Sequence, residues 1–266
     1  MDIISHTLTG IAVGTTLATI SNSDWKIKAL IILTGGFGGA LPDFDTISLW
    51  SSFDSTLGSF FNLNHSGSDI YFGKFWYSHH AAFHSILAPI FIISIVIIVK
   101  TCLKRNLKFS KIFIEIKTNR FFYLSFLLGF ILHVLEDIPT PSSFWGGVNL
   151  FFPNSEYIGG FGKIWWWNNY DLVLIIFSVI ILNLVVNLLT NRFQKLKSYI
   201  SISIFSIGVI SFLVQINTRS FDFSYSGYSV DYYEFETQSK TIQKEILGET
   251  LFQFMVKIDN MIPLNF

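Results

Sequence analysis

Residues 172–189 read LVLIIFSVIILNLVVNLL, an apolar run without a single charged side chain. A helix needs about 20 mostly apolar residues to cross the hydrocarbon core of a bilayer. This run therefore predicts a membrane-spanning helix. The rest of the chain agrees, because 51% of its 266 residues are hydrophobic and only 14% are charged, whereas a soluble domain carries about 25% charged residues.

Five further apolar runs predict more spans of the same kind. They cover residues 4–20, 27–41, 81–99, 121–133 with an extension to 137, and 199–216. The chain is therefore predicted to be an all-α membrane protein, a bundle of about six transmembrane helices over residues 1–216, followed by a polar, acidic tail over residues 217–266. Four glycines between residues 35 and 39 leave two interpretations of the second run, a closely packed full crossing, which is favoured, or a re-entrant break.

Basic residues predict how the bundle is oriented, since Lys and Arg in short loops stay on the cytoplasmic side. In a six-span arrangement they gather in loops on one side, at Lys26, Lys28, Lys104, Arg105, Lys108, Lys111, Lys117, Arg192, Lys195 and Lys197. The protein is therefore expected to be a multi-pass protein of the cell (inner or plasma) membrane, with its N-terminus and tail on the non-cytoplasmic side. The net charge is zero, so no nucleic-acid partner is expected on the cytoplasmic side.

Residues able to bind a metal gather at the same-side ends of four predicted spans, whereas the turns on the other side hold no histidine. The candidate ligands are His6, Asp43, Asp45, His80, His84, His133 and Asp137. Neutral imidazole and carboxylate together suit zinc or a comparable divalent ion such as manganese. Seven ligands exceed the four of one tetrahedral zinc, so the pattern favours one or two ions, two of them lying about 3.5–4 Å apart.

Local spacing supports the same site. His80 and His84 are four residues apart, as are His133 and Asp137, and such pairs share one face of a helix. Asp43 and Asp45 follow Pro42, where an extended backbone would direct both carboxylates the same way.

Other residues are weaker candidates. His79 competes with His80 for the helical spacing, and His65 lies in a polar loop and is expected at the surface. Glu136 is expected to contact solvent, with a supporting or base role as the alternative. The tryptophans at 165–167 predict membrane-interface anchors, with substrate stacking as the alternative. Asn183 and Asn187 predict hydrogen bonds between helices.

Four short motifs, in order, resemble the YdjM-like family of predicted membrane-bound metal-dependent hydrolases, some described as LexA-regulated. They are MDIISHTLTG at residues 1–10, LPDFD at 41–45, HAAFHS at 80–85 and HVLEDIPT at 133–140. The resemblance covers roughly residues 1–155. It implies the same seven metal ligands and a distant kinship to zinc-dependent phospholipases C and single-strand nucleases. Family members often carry a basic residue where this chain has Ala81, so Lys163 or Lys74 is expected to replace it in binding a phosphate.

The function expected from these features is metal-dependent hydrolysis of an ester, most plausibly a phosphoester of a lipid or another membrane-delivered substrate. Asp43 and Asp45 are the expected catalytic residues, as bridging ligand or general base, and a divalent metal, zinc by preference, is the expected cofactor. The lipid bilayer is the expected partner, and the oligomeric state is left open.

Two other classes use the same ligands. A transporter component usually carries its ionisable residues near the bilayer midplane, whereas the middles of the last four predicted spans are apolar apart from Asn183 and Asn187. A non-catalytic structural metal needs only four ligands, fewer than this chain offers.

Overall fold

A computed structural model describes residues 1–104, 109–189, 191–219, 221–229 and 231–261. Its described residues are mostly helical and form only isolated β-bridges. The helices are α1 (Ile3–Ile20), α2 (Trp25–Ala40), α3 (Gly67–Phe72), α4 (Leu87–Leu103), α5 (Phe109–Thr118), α6 (Arg120–Asp137), α7 (Tyr170–Asn187), α8 (Gln194–Thr218) and α9 (Tyr232–Asp259). The predicted all-α class is therefore confirmed. Arg105 and Lys108, which helped to predict the orientation, lie outside the described residues.

Four described helices are long and apolar enough to cross a membrane, and a bent helix pair makes a fifth candidate. The four are α1, α2 with its continuation to Leu49, α7 and α8; the pair is α5 and α6, which meet at an angle of 73°. The 25-residue stretch Trp25–Leu49 has the length of a full crossing. Helix α4, with 17 residues, is shorter than the predicted third span because residues 82–84 form a separate 3-10 turn.

Aspartates start the first two helices. Asp2 accepts hydrogen bonds from the backbone N–H groups of Ile4 and Ser5, and Asp24 does the same for Lys26 and Ile27. These bonds satisfy donors that the first turn of a helix leaves without partners. The short polar turn between α1 and α2 therefore returns the chain as a helical hairpin.

Helices α1, α2 and α6 touch through their backbones at glycines. A Cβ at Gly10 would collide with the Gly35 carbonyl oxygen, and one at Gly39 with the His6 carbonyl oxygen. A Cβ at Gly129 of α6 would also collide with the Gly35 carbonyl oxygen. Small residues allow such close approach of membrane helices, and here the approach brings the ends of the three helices together.

The two asparagines of α7 do bond to other helices, as predicted. The Asn183 Nδ2 donates to Thr16 Oγ1 of α1 at 3.0 Å, and Ser201 of α8 donates to Asn183 Oδ1. The Asn187 Oδ1 accepts from Lys28 Nζ of α2 at 2.7 Å. The side chains of these two asparagines are thus satisfied by neighbouring helices.

The tail packs onto the bundle. Helix α9, bent at Gly248 where φ is 70°, places Phe252 and Met255 against Tyr170 of α7. The Trp165 ring is fully buried among Phe223, Tyr232 and Phe235. The prediction that Trp165 anchors the protein at the membrane interface is therefore wrong, because its ring is covered by the tail.

We expect Gly35→Ala to destabilise the protein more than Gly36→Ala. A methyl group at Gly35 meets the Gly10 carbonyl oxygen and costs about 1–3 kcal/mol, against a gain in helix propensity of about 1 kcal/mol. At Gly36 the nearest atom is the side-chain Cγ1 of Ile11, at 2.9 Å, and a side chain yields more easily than a backbone. Thermal unfolding in detergent measures both variants, and equal melting temperatures would contradict the backbone contact.

Candidate metal centre

The candidate site lies where three separate parts of the chain meet at one end of the bundle, here called the site end. Asp43 lies on the 3-10 continuation of α2, and His84 on the 3-10 turn just before α4. His133 and Asp137 occupy the last turns of α6. Their exposed fractions are 7%, 0%, 0% and 3%, in that order. These four side chains are thus almost entirely buried.

Four atoms of these residues face one another and are here called the tetrad: Asp43 Oδ1, His84 Nε2, His133 Nε2 and Asp137 Oδ2. The His133 nitrogen lies 3.4 Å from that of His84, 3.5 Å from the Asp43 oxygen and 3.3 Å from the Asp137 oxygen. The His84 nitrogen lies 3.7 Å from the Asp43 oxygen and 3.9 Å from the Asp137 oxygen. Ligands about 2.0–2.2 Å from a tetrahedral zinc are roughly 3.3–3.6 Å apart. The three distances from His133 fall in this range and the two from His84 are slightly longer, and Asp43, His84 and His133 form a group that could hold a metal ion.

Two more of the predicted histidines approach the same aspartate. The His80 Nε2 lies 3.9 Å from Asp137 Oδ2, and the His6 Nε2 lies 3.1 Å from Asp137 Oδ1. The amino group of Met1 also lies 2.8 Å from Asp137 Oδ1. The two oxygens of Asp137 therefore face different sets of nitrogens, and Oδ1 is paired with the amino group of Met1.

Three of the imidazole rings are positioned by a hydrogen bond at Nδ1, the ring nitrogen that faces away from the candidate metal site. The Nδ1 of His80 lies 3.1 Å from the Gly147 carbonyl oxygen, that of His133 2.6 Å from the Gly39 carbonyl oxygen, and that of His6 2.8 Å from Glu136 Oε2. A carbonyl oxygen only accepts, so Nδ1 of His80 and His133 carries the proton and Nε2 keeps its lone pair. Histidines that bind metals are usually held this way.

Several buried polar atoms of the cluster make no hydrogen bond to any described residue. They are His6 Nε2, His84 Nδ1, Asp45 Oδ2 and Asp137 Oδ2. An unsatisfied buried polar atom costs about 1–3 kcal/mol, and nitrogen and carboxylate lone pairs facing one another would be stabilised by a cation. The residues present therefore fit a divalent metal.

Burial and neighbouring charges set the protonation of the histidines in the loop before α4. Burial lowers the pKa of His84, with a further contribution from the charge of His79, and it holds the pKa of His80 well below its usual range. Burial also acts to lower the pKa of His79, but the charge and hydrogen bond of Asp45 raise it overall. His80 and His84 are thus neutral, the form that binds a metal.

The structure brings most of the predicted ligands together, but through a different backbone from the one predicted. His80 and His84 do not share a helix face: His80 has a φ of +61°, and His84 lies on a 3-10 turn. The stretch with Asp43 and Asp45 is a 3-10 helix rather than extended chain, so the two carboxylates point apart. The Asp45 Oδ1 lies 2.8 Å from His79 Nδ1, and Asp45 faces the outer nitrogen of His84, Nδ1, at 3.8 Å rather than the tetrad.

Two residues that sequence reasoning ranked low belong to the cluster. His79 is buried and pairs with Asp45, and Glu136, expected at solvent, is buried and bonds to His6 Nδ1 and to Thr9 Oγ1 at 2.6 Å. Each adjoins a predicted ligand in the chain, which is the one signal that could have found it. His65 stacks on Phe75 instead and belongs to no group of candidate ligands among the described residues.

A cavity of about 720 Å³ adjoins the cluster, and Asp43, His79, His80 and Asp137 form part of its wall. Much of the remaining wall is aromatic, from Tyr71, Phe72, Trp145, Trp166, Trp167, Tyr225, Tyr228 and Tyr232. Ligand cavities commonly have about 300–1,000 Å³ and mostly apolar walls. Trp166, expected as an anchor, is thus placed to stack against a ligand.

No lysine or arginine lines this cavity within the described part of the chain. Lys163 lines a different cavity, and Lys74 lies over the Tyr157 ring with its Nζ 5.2 Å from the ring centre. The expectation that Lys163 or Lys74 supplies a phosphate-binding cation in this site is therefore wrong.

Comparison with known families agrees with the motifs. The model of the YdjM inner membrane protein family matches residues 1–219. The chain belongs to this family. The match extends beyond the motif region, to the end of α8, and the family description supports an inner-membrane location. No curated protein and no solved structure matches the chain.

We expect the detergent-purified protein to hold about one or two divalent ions per chain, and to lose them in His84→Ala and Asp137→Ala, because each variant removes a member of the tetrad. Elemental mass spectrometry measures the content. His65→Ala is the control, since His65 lies away from the cluster. Metal retained in both tetrad variants, or none bound by the wild type after reconstitution, would contradict the site.

We also expect Glu136→Gln to weaken metal binding by about 10- to 100-fold, because it removes the charge that holds the His6 ring. Competition with a chelator measures the affinity. Thr9→Val is the matched control, as it removes the other hydrogen bond to Glu136 and leaves the bond to His6. Equal affinities in the two variants would show that Glu136 does not act through His6.

Proposed function

We propose that this member of the YdjM family is a membrane-bound metal-dependent hydrolase that cleaves an ester, with a phosphoester of a lipid or membrane-delivered molecule as the favoured substrate. The observation that supports the proposal is the tetrad together with its cavity. The four tetrad residues, with His6 and His80, could bind a metal, and the adjoining cavity could bind a substrate. A purely structural metal needs neither the additional donors nor the space.

In this proposal Asp43, His84, His133 and Asp137 would hold one divalent ion. His80 lies beside the same oxygen of Asp137, and His6, which faces the other oxygen, would contribute to a second ion. Zinc suits this mixture of imidazole and carboxylate, with manganese as the alternative. Such an ion lowers the pKa of water toward about 7 and stabilises negative charge that develops on an ester oxygen.

The two carboxylates proposed as catalytic have separate roles. Asp43 belongs both to the tetrad and to the cavity wall, so it is the candidate bridging ligand or base next to the substrate. Asp45 acts through His79. Because Asp45 occupies the Nδ1 of His79 and His79 lines the cavity, Nε2 is the ring atom left to exchange a proton with a substrate or leaving group.

The cavity wall indicates the kind of substrate. Its aromatic rings favour an amphipathic molecule. The metal would supply positive charge for a phosphate, together with the amino group of Met1 and the His79 ring in the cavity wall. A phosphodiester, with one negative charge, suits this wall better than a phosphomonoester with nearly two. The position at helix ends is within reach of lipid headgroups.

We expect the metal-loaded protein to hydrolyse bis(4-nitrophenyl) phosphate, a diester, faster than 4-nitrophenyl phosphate, a monoester. His79→Gln is expected to lower kcat by about 10²–10⁴-fold, the usual contribution of a positioned acid or base, with the metal content unchanged. Asp45→Asn should have a smaller effect of the same kind, because it leaves the imidazole in place.

Release of nitrophenolate is the measurement, with His65→Gln as the matched histidine control and a labelled phosphatidylglycerol in mixed micelles as a lipid substrate. Stoichiometric metal without turnover of any of the three compounds would contradict the phosphoesterase. It would favour the alternative of a non-catalytic metal-binding protein or transporter component, which metal uptake into vesicles would then separate.

A further inference from the structure

A second cavity lies on the flank of the bundle and shares no lining residue with the cavity of the metal centre. It has a volume of about 460 Å³ and runs as a groove between α6 and α8. Leu132 and Leu135 of α6 form one side and Val209 and Leu213 of α8 the other, over a floor that includes Ile176 of α7. The groove is thus built from helices that are candidate membrane spans.

The sides of the groove are open toward the surroundings of the bundle. Leu135 is 40% exposed and Leu213 is 51% exposed. In a helix that crosses a membrane, exposed leucines contact lipid hydrocarbon rather than water. The surrounding lipid therefore makes an acyl chain the expected occupant of the groove.

The length of the groove corresponds to one leaflet. Phe205 and Asn217 both line it, and the helix between them rises about 18 Å at about 1.5 Å per residue. Half of a hydrocarbon core about 30 Å thick is about 15 Å. One acyl chain of the leaflet at the site end could thus lie along the whole groove.

The mouth of the groove carries a positive charge. Lys163 lies at the site end with Asn217, and it is the only basic residue that lines the groove within the described part of the chain. The other charged lining residue, Glu136, already accepts hydrogen bonds from His6 and Thr9. Headgroup depth is where a lysine attracts the phosphate of a lipid.

We propose that this groove binds one anionic glycerophospholipid, with an acyl chain between α6 and α8 and its phosphate beside Lys163. The lipid is a resident ligand and not the substrate, since the groove is separate from the metal-centre cavity. Its chain would cover the bilayer side of the Glu136 and His6 pair, so it would shield that buried carboxylate. The inference does not depend on the proposed hydrolase activity.

Native mass spectrometry of the purified full chain, mixed with phosphatidylglycerol or with phosphatidylcholine of the same acyl chains, tests the proposal. The wild type is expected to retain one phosphatidylglycerol in preference to phosphatidylcholine. Lys163→Gln should weaken phosphatidylglycerol binding by about fivefold, the effect of one lysine near a lipid surface, and remove the preference. Lys74→Gln, on the same side but outside the groove, is the charge control and should bind as the wild type does.

The second part of the experiment fills the groove with a large side chain. Val209→Trp should lose the retained lipid, whereas Ile210→Trp should keep it, because Ile210 is the next residue of α8, is exposed and does not line the groove. Matching melting temperatures of the two variants show that both are folded. Equal lipid retention in them, or equal binding of the two lipids by the wild type, would overturn the proposal. His84→Ala should retain lipid, so a failed metal site and a failed lipid site give different results.

Discussion

The backbone contact among α1, α2 and α6 is the constraint on which the site depends. Gly10, Gly35, Gly39 and Gly129 let the three helices touch where any side chain would collide with a carbonyl oxygen. The same contact orients a candidate ligand, because the Gly39 carbonyl oxygen lies 2.6 Å from His133 Nδ1. With His6 on α1 and His133 on α6, the ring centres come within 3.7 Å. The glycine contacts that pack the three helices therefore also position the rings of His6 and His133.

Charge balance imposes a second constraint. Asp43, Glu136 and Asp137 are buried close together at the end of a helical bundle, and buried carboxylates without compensating charge are costly. Hydrogen bonds to His6 and Thr9 stabilise Glu136. Of the four tetrad atoms, Asp137 Oδ2 makes no hydrogen bond to a described residue, and the divalent cation proposed above would compensate its charge. The site thus depends on the fold for its geometry, and the amino group of Met1 supplies part of the charge balance through Asp137.

Much of the fold was predictable from local patterns. Apolar runs predicted both ends of α7 and the C-terminal end of α8 to within two residues, because burial in hydrocarbon requires uninterrupted hydrophobicity; α8 begins at Gln194, five residues before the predicted run. The third predicted span began too early, because residues 82–84 form a 3-10 turn that the apolar pattern does not reveal. Trp165 was wrongly expected at the membrane interface, because its ring is covered by the tail. Contacts with Phe223 and Tyr232 join residues far apart in the chain, and no local pattern predicts such contacts.

The sequence by itself determined that this is a helical membrane protein with histidines and aspartates gathered at one end of its helices, because hydropathy and residue type are local properties. Only the tertiary structure decided which atoms face one another. It placed Asp43 in the tetrad and Asp45 on His79, and it turned Glu136 toward His6 instead of solvent. The physical reason is that these directions depend on the positive φ of His80, the 3-10 turns and the close glycine packing, which arise from contacts between distant segments.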